Sequence, residues 1–354
     1  MRCFWIRVPF DFGQQKTGLK TLLYIGNMLV PQGATISVME EHGKMLEPHF
    51  KVYYASCKKN KILRLLDMIE SLLQRRREAD FIIISVYSTL NFYYAWSIAL
   101  LCRVFRKPYI CYLHGGNLPA RMSRSPLMSS AIFAFALANV APSAYLKNAF
   151  QQAGYKTILI PNFIQLAQYA FLQRRMLRPR FLWVRSFEKT YHPEMAMQVF
   201  AAIQREYPEA QLCMVGTDKD GSMERCKKLA AELKIAGQVK FMGGLPKSEW
   251  IALAKDYDIF ISTTHVDNTP VSVMEAMALG LPIVSTNVGG VPFLLTHHET
   301  GLLSPDNEIP AMVQNIQSLL NSPVLAEGLS KNARQKAESF DWTAIEKQWL
   351  DLLQ

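Results

Sequence analysis

The densest set of residues able to do chemistry lies in one stretch, Asp258-Ile-Phe-Ile-Ser-Thr-Thr-His-Val-Asp267-Asn-Thr-Pro-Val-Ser-Val-Met-Glu275-Ala-Met-Ala-Leu-Gly280. A β-rich apolar run ends at Ser262 and a polar loop follows to Thr269. Pro270 suits a first helical position because it has no N–H to leave orphaned, and Thr269 is placed to cap. A helix starting there points the N–H groups of Val271 and Ser272 out of its N-terminus, which suits an anion such as a diphosphate. Glu275 follows in the second turn, in apolar company. Burying that carboxylate unpaired is costly, so it needs donors; ribose hydroxyls of a nucleotide, a core Arg or a backbone amide all qualify.

A second candidate is the apolar run Tyr109–Leu113 leading into His114-Gly115-Gly116-Asn117. A His that ends a parallel strand before two glycines lets the backbone approach a ligand closely. Taken alone, His114 reads more readily as a satisfied loop histidine. Gly33, ahead of an expected helix Ala34–His42, offers a similar close approach to donor or acceptor. His297-His298 has no acid or Cys at metal spacing and reads as a loop pair. The six cysteines show no CxxC spacing, and several sit in apolar runs. They imply a reducing cytoplasmic compartment with neither a disulfide frame nor a zinc site.

The elements that must position these residues form a regular alternation. Strands are expected at Thr21–Ile25, Lys51–Ala55, Phe81–Val86, Tyr109–Leu113, Val140–Pro142 and Thr157–Ile160, with helices such as Lys61–Arg77, Phe92–Phe105 and Ala144–Gln152 between them. A polar segment, Asn162–Pro179, reads as a linker. The rhythm restarts with strands at Arg180–Val184, Gln211–Val215, Val239–Met242, Ile259–Ser262 and Pro282–Ser285, and two helices close the chain with Asp341 as N-cap between them. Alternation of this kind predicts parallel sheets covered on both faces. The fold class is therefore α/β, with two doubly wound Rossmann-like domains in succession and a cleft beyond the carboxyl ends of both sheets. The boundaries read as an N-terminal extension 1–19, a first domain 20–165, a second domain 166–340 and a final helix 341–354 that packs back toward the first domain. A chain of 354 residues fits two domains of about 150.

Charge divides the halves. Residues 1–165 hold 20 Lys/Arg against 8 Asp/Glu, and the remainder 19 against 21. The basic half suggests an anionic partner, with nucleic acid, an anionic membrane face and a phosphate-bearing acceptor all open on charge alone. No recognisable nucleic-acid module accompanies the charge. Phe81–Cys102 is 22 residues without a charge, yet its β-rich start and turn-like Ser88–Asn91 favour a buried strand feeding a buried helix over a membrane span. No signal peptide is evident, and no G-x-G-x-x-G follows the first strand, which disfavours an NAD-dependent oxidoreductase.

The run Asp267, seven residues, then Glu275-Ala-Met-Ala-Leu-Gly-Leu-Pro-Ile-Val-Ser and Gly289-Gly290-Val-Pro292 resembles the donor-site signature of the retaining family-four ("group 1") glycosyltransferases of GT-B fold. The resemblance covers most of the chain, from about Lys20 onward. It implies that Glu275 holds the donor ribose and that Asp267 lies near the transferred sugar, where the family more often has Glu. It implies that backbone amides of Asn268, Thr269 (through Pro270) and Val271 meet the sugar and phosphates. Arg185 matches the arginine that neutralises the departing diphosphate. The family's Lys about five residues later is replaced by Thr190, with Lys189 adjacent as the substitute. His114 matches a residue lining the sugar pocket from the opposite domain, and Gly243-Gly244 resembles the turn beside the donor base.

The function so implied is retaining transfer of a sugar from a nucleotide-sugar donor to a glycan or lipid-linked glycan acceptor in cell-surface polysaccharide synthesis. The donor is a substrate, no cofactor is expected, and no DxD-like metal site is evident. The basic clusters Lys58-Lys59, Arg75–Arg77 and Arg103–Lys107 suggest peripheral docking on an anionic membrane at the cytoplasmic face; as solvated helix faces they have a plainer explanation. A nucleotide-sugar-binding protein without transferase activity is the alternative, since Asp267 and the missing Lys both depart from the family pattern.

Overall fold

A computed structural model of the chain describes residues 18–28 and 38–354. Gly33, most of the 1–19 extension and the expected start of a helix at Ala34 lie outside the described residues.

The first sheet comprises β1 (Thr21–Ile25), β2 (Lys51–Ala55), β3 (Phe81–Val86), β4 (Tyr109–Leu113), β5 (Ala138–Ala141) and β6 (Thr157–Leu159), all parallel, in the order β2-β1-β3-β4-β5-β6. The second comprises β7 (Arg180–Val184), β8 (Gln211–Val215), β9 (Val239–Gly243), β10 (Ile259–Ser262), β11 (Ile283–Thr286) and β12 (Leu302–Ser304), also parallel, in the order β12-β11-β10-β7-β8-β9. Every residue of β3 and β4 is buried, as expected of central strands covered by helices on both faces. The charge-free run splits at the turn Tyr87–Leu90 into β3 and the helix Asn91–Val104. Among the described residues no helix is long and apolar enough to cross a membrane.

Four features differ from the expected elements. The three-residue strand β12 is too short to show a period, and its pairing with β11 reveals it. Helices Leu118–Arg124 and Pro126–Phe133 occupy a stretch given no element from sequence, each with Pro in its first turn. Segment 162–179 is polar but packed rather than a free tether. Buried Arg174 in it donates to the carbonyls of Leu172, Ala254, Tyr257 and Leu279 at 2.8–3.1 Å, and burial lowers its pKa to about 10. The helix after β10 spans Val271–Ala278 with Pro270 itself at the N-cap. Thr269 does not cap, because its hydroxyl donates to Pro142 O in the first domain at 3.1 Å.

The helix Trp342–Leu353 returns to the first domain. Trp342, Ile345, Trp349 and Leu353 join the core built from Leu22, Tyr24, Met39 and Tyr112. The Asp341 carboxylate at its N-cap accepts Leu166 N–H at 2.8 Å, tying the crossover to the helix start.

Candidate active site

The second sheet reverses its strand order between β7 and β10, the place where an open α/β sheet leaves a crevice beyond its carboxyl edge. Arg185 follows β7 and Asp267 stands on the loop after β10, and the Arg185 guanidinium (Nη2) is ion-paired with Asp267 Oδ2. The guanidinium also lies over the Tyr191 ring, 4.8 Å from its centroid. Burial opposes its charge, but Asp267, Tyr191 and Glu275 together more than offset this, so the pKa of Arg185 is held above its ordinary value. Its Nε is buried without a hydrogen-bond partner among the described residues.

Glycines on two sides shape the loop that carries Asp267. A Cβ on Gly290 would lie 1.7 Å from Asn268 O, and one on Gly289 (φ +52°) would lie 2.2 Å from Asp267 O. From the first domain, a Cβ on Gly116 would meet the Asp267 carbonyl carbon at 2.8 Å. Gly290 N–H donates to Asp267 O at 3.0 Å. The side chains of Asn268 and Thr269 face the first domain, whereas Asp267 turns to Arg185. Asn268 Oδ1 accepts from the Ser143 hydroxyl, and Asn162 Nδ2 donates to Thr269 O at 3.2 Å.

Between the domains lies a cavity of about 300 Å³ lined by Arg185, Gly216, Gly244, Lys247, Ser272 and Glu275 among others. Gly216 is required by proximity, since a Cβ there would stand 1.6 Å from Arg185 O. Val271 and Ser272 open their helix into the cavity, and the Ser272 hydroxyl is buried without a partner among the described residues. Glu275 is only 5% exposed. It accepts from the Tyr169 hydroxyl at 2.8 Å and pairs with Lys247 Nζ at 3.1 Å. Burial raises the pKa of Glu275, with Lys247 and Tyr169 pulling the other way. Lys247 also reaches Glu41 on the first-domain helix Val38–Leu46 at 3.0 Å, so one ammonium bridges carboxylates of both domains. A second cavity of about 700 Å³ shares Glu41 and Lys247 but none of Arg185, Asp267 and Glu275.

His114 is stacked on Tyr87 at 4.9 Å and tilted against Tyr112 at 4.2 Å, with its Nε2 buried and without a partner among the described residues. Burial lowers its pKa to about 3, so the ring is neutral at ordinary pH. Gly244 lines the cavity, while Gly243 (φ +68°) uses its carbonyl to accept Gly216 N–H at 2.7 Å. Lys189 departs from its expected place. It is exposed on the turn Lys189–Tyr191, its backbone N–H is held by Asp220 at 3.0 Å, and it does not line the cavity. Thr190 holds the position five residues after Arg185, and Lys189 beside it points outward; Lys219 and Lys247 line the cavity instead.

Sequence reasoning missed Lys247, Tyr169 and Glu41. Lys247 opens the helix Lys247–Leu253 shortly after the Gly243-Gly244 turn, which was the one available pointer. Tyr169 lies in the segment taken for a linker, and Glu41 reaches the site only through domain packing. His297, by contrast, has a plain structural role, with its Nδ1 accepting Leu303 N–H at 3.0 Å.

Two doubly wound domains with this cavity between them have the fold of the GT-B glycosyltransferases. The chain superposes on sucrose-phosphate synthase from Thermosynechococcus elongatus with a TM-score of 0.80 at 19% identity, covering 94% of this chain and 98% of that one. Against Anabaena Alr3699/HepE in complex with UDP-glucose the TM-score is 0.75 at 17% identity, covering 94% and 99%. Residues 170–336 match the family model for glycosyl transferases group 1, and the second domain belongs to that family. A putative colanic acid biosynthesis glycosyltransferase, WcaL of Escherichia coli, is 34% identical over 139 residues, 37% of this chain and 34% of that protein. The chain spans under half the length of the curated relatives it matches.

Proposed function

We propose that the protein is a retaining hexosyltransferase that moves a sugar from a nucleotide-sugar donor to a glycan or lipid-linked glycan in cell-surface polysaccharide synthesis. The observation that carries this reading is the convergence of Arg185, Lys247, Glu275 and an open helix N-terminus on one cavity at the switch point. Arg185 Nε, buried and unpartnered, is a ready donor to the diphosphate, and the amides of Val271 and Ser272 add to it. These groups stabilise charge on the leaving diphosphate as the anomeric bond breaks. Lys247 takes the part first expected of Lys189, and Glu275 receives the ribose once its bond to Lys247 is exchanged for hydroxyls. Neutral His114 offers Nε2 to a sugar hydroxyl rather than a charge. Asp267 orients Arg185 and borders the sugar, and the donor carries its own leaving group, so the reaction as read here calls for no cofactor.

Release of nucleotide across a panel of UDP- and GDP-sugars tests the reading, with Arg185→Ala and Glu275→Ala as controls. Both variants lose transfer while remaining folded; near-normal turnover in either would sink it. One observation favours the alternative, a nucleotide-sugar-binding protein: Lys247 is already held between Glu275 and Glu41. Donor binding without hydrolysis or transfer supports that alternative.

Docking at the cytoplasmic membrane face belongs to the same proposal. The helix Lys61–Arg75 exposes Ile62 (72%), Leu63 (55%) and Leu66 (54%) beside exposed Lys58, Lys59 and Lys61. Apolar residues on one exposed helix face beside lysines suit the surface of an anionic bilayer. Arg75 and Arg103 instead lie over Tyr53 and Phe135, at 3.4 and 3.7 Å from the ring centroids. Co-sedimentation with anionic vesicles should be lost at high salt and in an Ile62→Ser/Leu66→Ser variant; absent binding at low salt argues for an enzyme free of the membrane, and binding unchanged in the variant argues against this face.

A further inference from the structure

Outside the cavity, three side chains from separate strand-exit loops converge. His192 is the N-cap of the helix Pro193–Glu206, His265 follows β10, and Asp306 follows β12. Their nitrogen and carboxylate ligand atoms all lie within 4.8 Å of one another. His265 Nδ1 is 2.9 Å from each Asp306 carboxylate oxygen, and the two imidazoles stack at 4.1 Å between centroids. His192 holds a left-handed backbone (φ 44°, ψ 56°) that most side chains avoid. Its carbonyl accepts from the Thr263 hydroxyl at 2.8 Å, and His265 N–H donates to Thr190 O at 2.9 Å, so the loops are fixed by their own bonds. A hydrogen-bonded His–Asp pair accounts for His265 and Asp306. It leaves His192 Nδ1 buried with no partner among the described residues, an uncommon state for a ring nitrogen.

We propose that His192, His265 and Asp306 bind one divalent ion of the zinc class. Two imidazoles and one carboxylate suit Zn²⁺, Co²⁺ or Ni²⁺ rather than Mg²⁺ or Ca²⁺, which take oxygen ligands, and water completes the coordination. Metal–ligand bonds of about 2.0–2.1 Å place tetrahedral donors about 3.3 Å apart. The His265–Asp306 contact therefore opens slightly and the His192 ring closes in. His265 is two residues before Asp267, and His192 adjoins Tyr191, whose ring lies against Arg185. The ion fastens from outside the loops that hold the Arg185–Asp267 pair; its part is structural, and it contacts no substrate.

The test uses the full chain, stripped with a chelator and titrated with Co²⁺ while d–d absorption is followed, then with competing Zn²⁺. One equivalent binds, Asp306→Asn and His192→Asn each weaken it by about 100-fold or more, and a Cys57→Ser/His297→Ala/His298→Ala variant retains it. Zn²⁺ also raises the thermal midpoint of the parent chain and leaves that of Asp306→Asn unmoved. Asp306 is exposed enough that its amide variant folds, which keeps the comparison valid if His192→Asn does not. Absence of a saturable equivalent, or binding undiminished in Asp306→Asn, overturns the proposal. Because no donor is present, the result is independent of the glycosyltransferase reading.

Discussion

Arg185, just after β7, and Asp267, on the loop after β10, flank the switch point in the second sheet and hold each other in an ion pair. Their side chains are 18% and 13% exposed, so the pair is neither a surface bridge nor a dry one. It fixes the guanidinium before any ligand arrives, which spares the ordering cost at the moment charge develops.

Arg185→Ala should therefore lower the turnover number by about 10²- to 10³-fold, in the range of losing one preorganised donor of an oxyanion site. Arg185→Lys should recover little, because an ammonium cannot serve Asp267 and a phosphate with two separate N–H groups in one plane. Steady-state kinetics beside thermal unfolding would separate this from a folding defect; a variant that loses activity only in proportion to folded protein contradicts the assignment.

Lys247 and Lys189 make opposite predictions. Lys247→Ala removes a cation from the cavity and leaves buried Glu275 with Tyr169 alone. Calorimetric titration with UDP and GDP should show at least about a tenfold loss, or about 1.4 kcal/mol. Lys189→Ala should bind as the parent does, since its side chain is exposed and does not line the cavity. Equal losses in both would restore Lys189 to the clamp.

Gly116→Ala should slow transfer strongly while changing the stability of each domain little. The added methyl meets the Asp267 backbone across the interface at 2.8 Å, and backbone there cannot yield as a flexible side chain would. The domains must then part or the Asp267 loop must shift. Turnover near the parent's would show that this interface opens in the working cycle and that Gly116 does not set the loop.

Two buried histidines give a pH signature. The pKa values of His42 and His114 are lowered by burial to about 3, against about 6.5 in the unfolded chain. The unfolded state therefore binds more protons between these values, and stability falls as pH drops from about 6.5 toward 3. From pH 7 to pH 5 the linkage costs about 2 kcal/mol per histidine. Urea midpoints for the parent and His42→Gln should converge as pH falls. A constant difference between them would mean that His42 is protonated in the folded state.

Much of this was legible because the strongest signals are local. Central strands such as Phe81–Val86 are apolar runs bounded by turn residues, and they appear with their expected bounds. The loop-to-helix run at Asp267–Glu275 could be read as an anion site from N–H chemistry alone. What escaped depends on contacts distant in sequence. Glu41 comes to Lys247 by domain packing, Tyr169 comes to Glu275 from segment 162–179, and the triplet of His192, His265 and Asp306 is scattered over three strand exits. Lys189 differs for another reason: adjacent side chains on the turn Lys189–Tyr191 point different ways, and that of Lys189 is exposed.

The helix Trp342–Leu353 gives the two domains an unusual order of completion. Tyr24, His42 and Tyr112 are synthesised early, yet the Trp349 ring that covers them, 4.2 Å from His42 and 5.0 Å from Tyr112, follows the whole second domain. On the ribosome the first sheet must wait with an apolar groove uncovered while its neighbour folds, open to chaperones or to a stray partner. The half of the molecule made first is thus the half finished last.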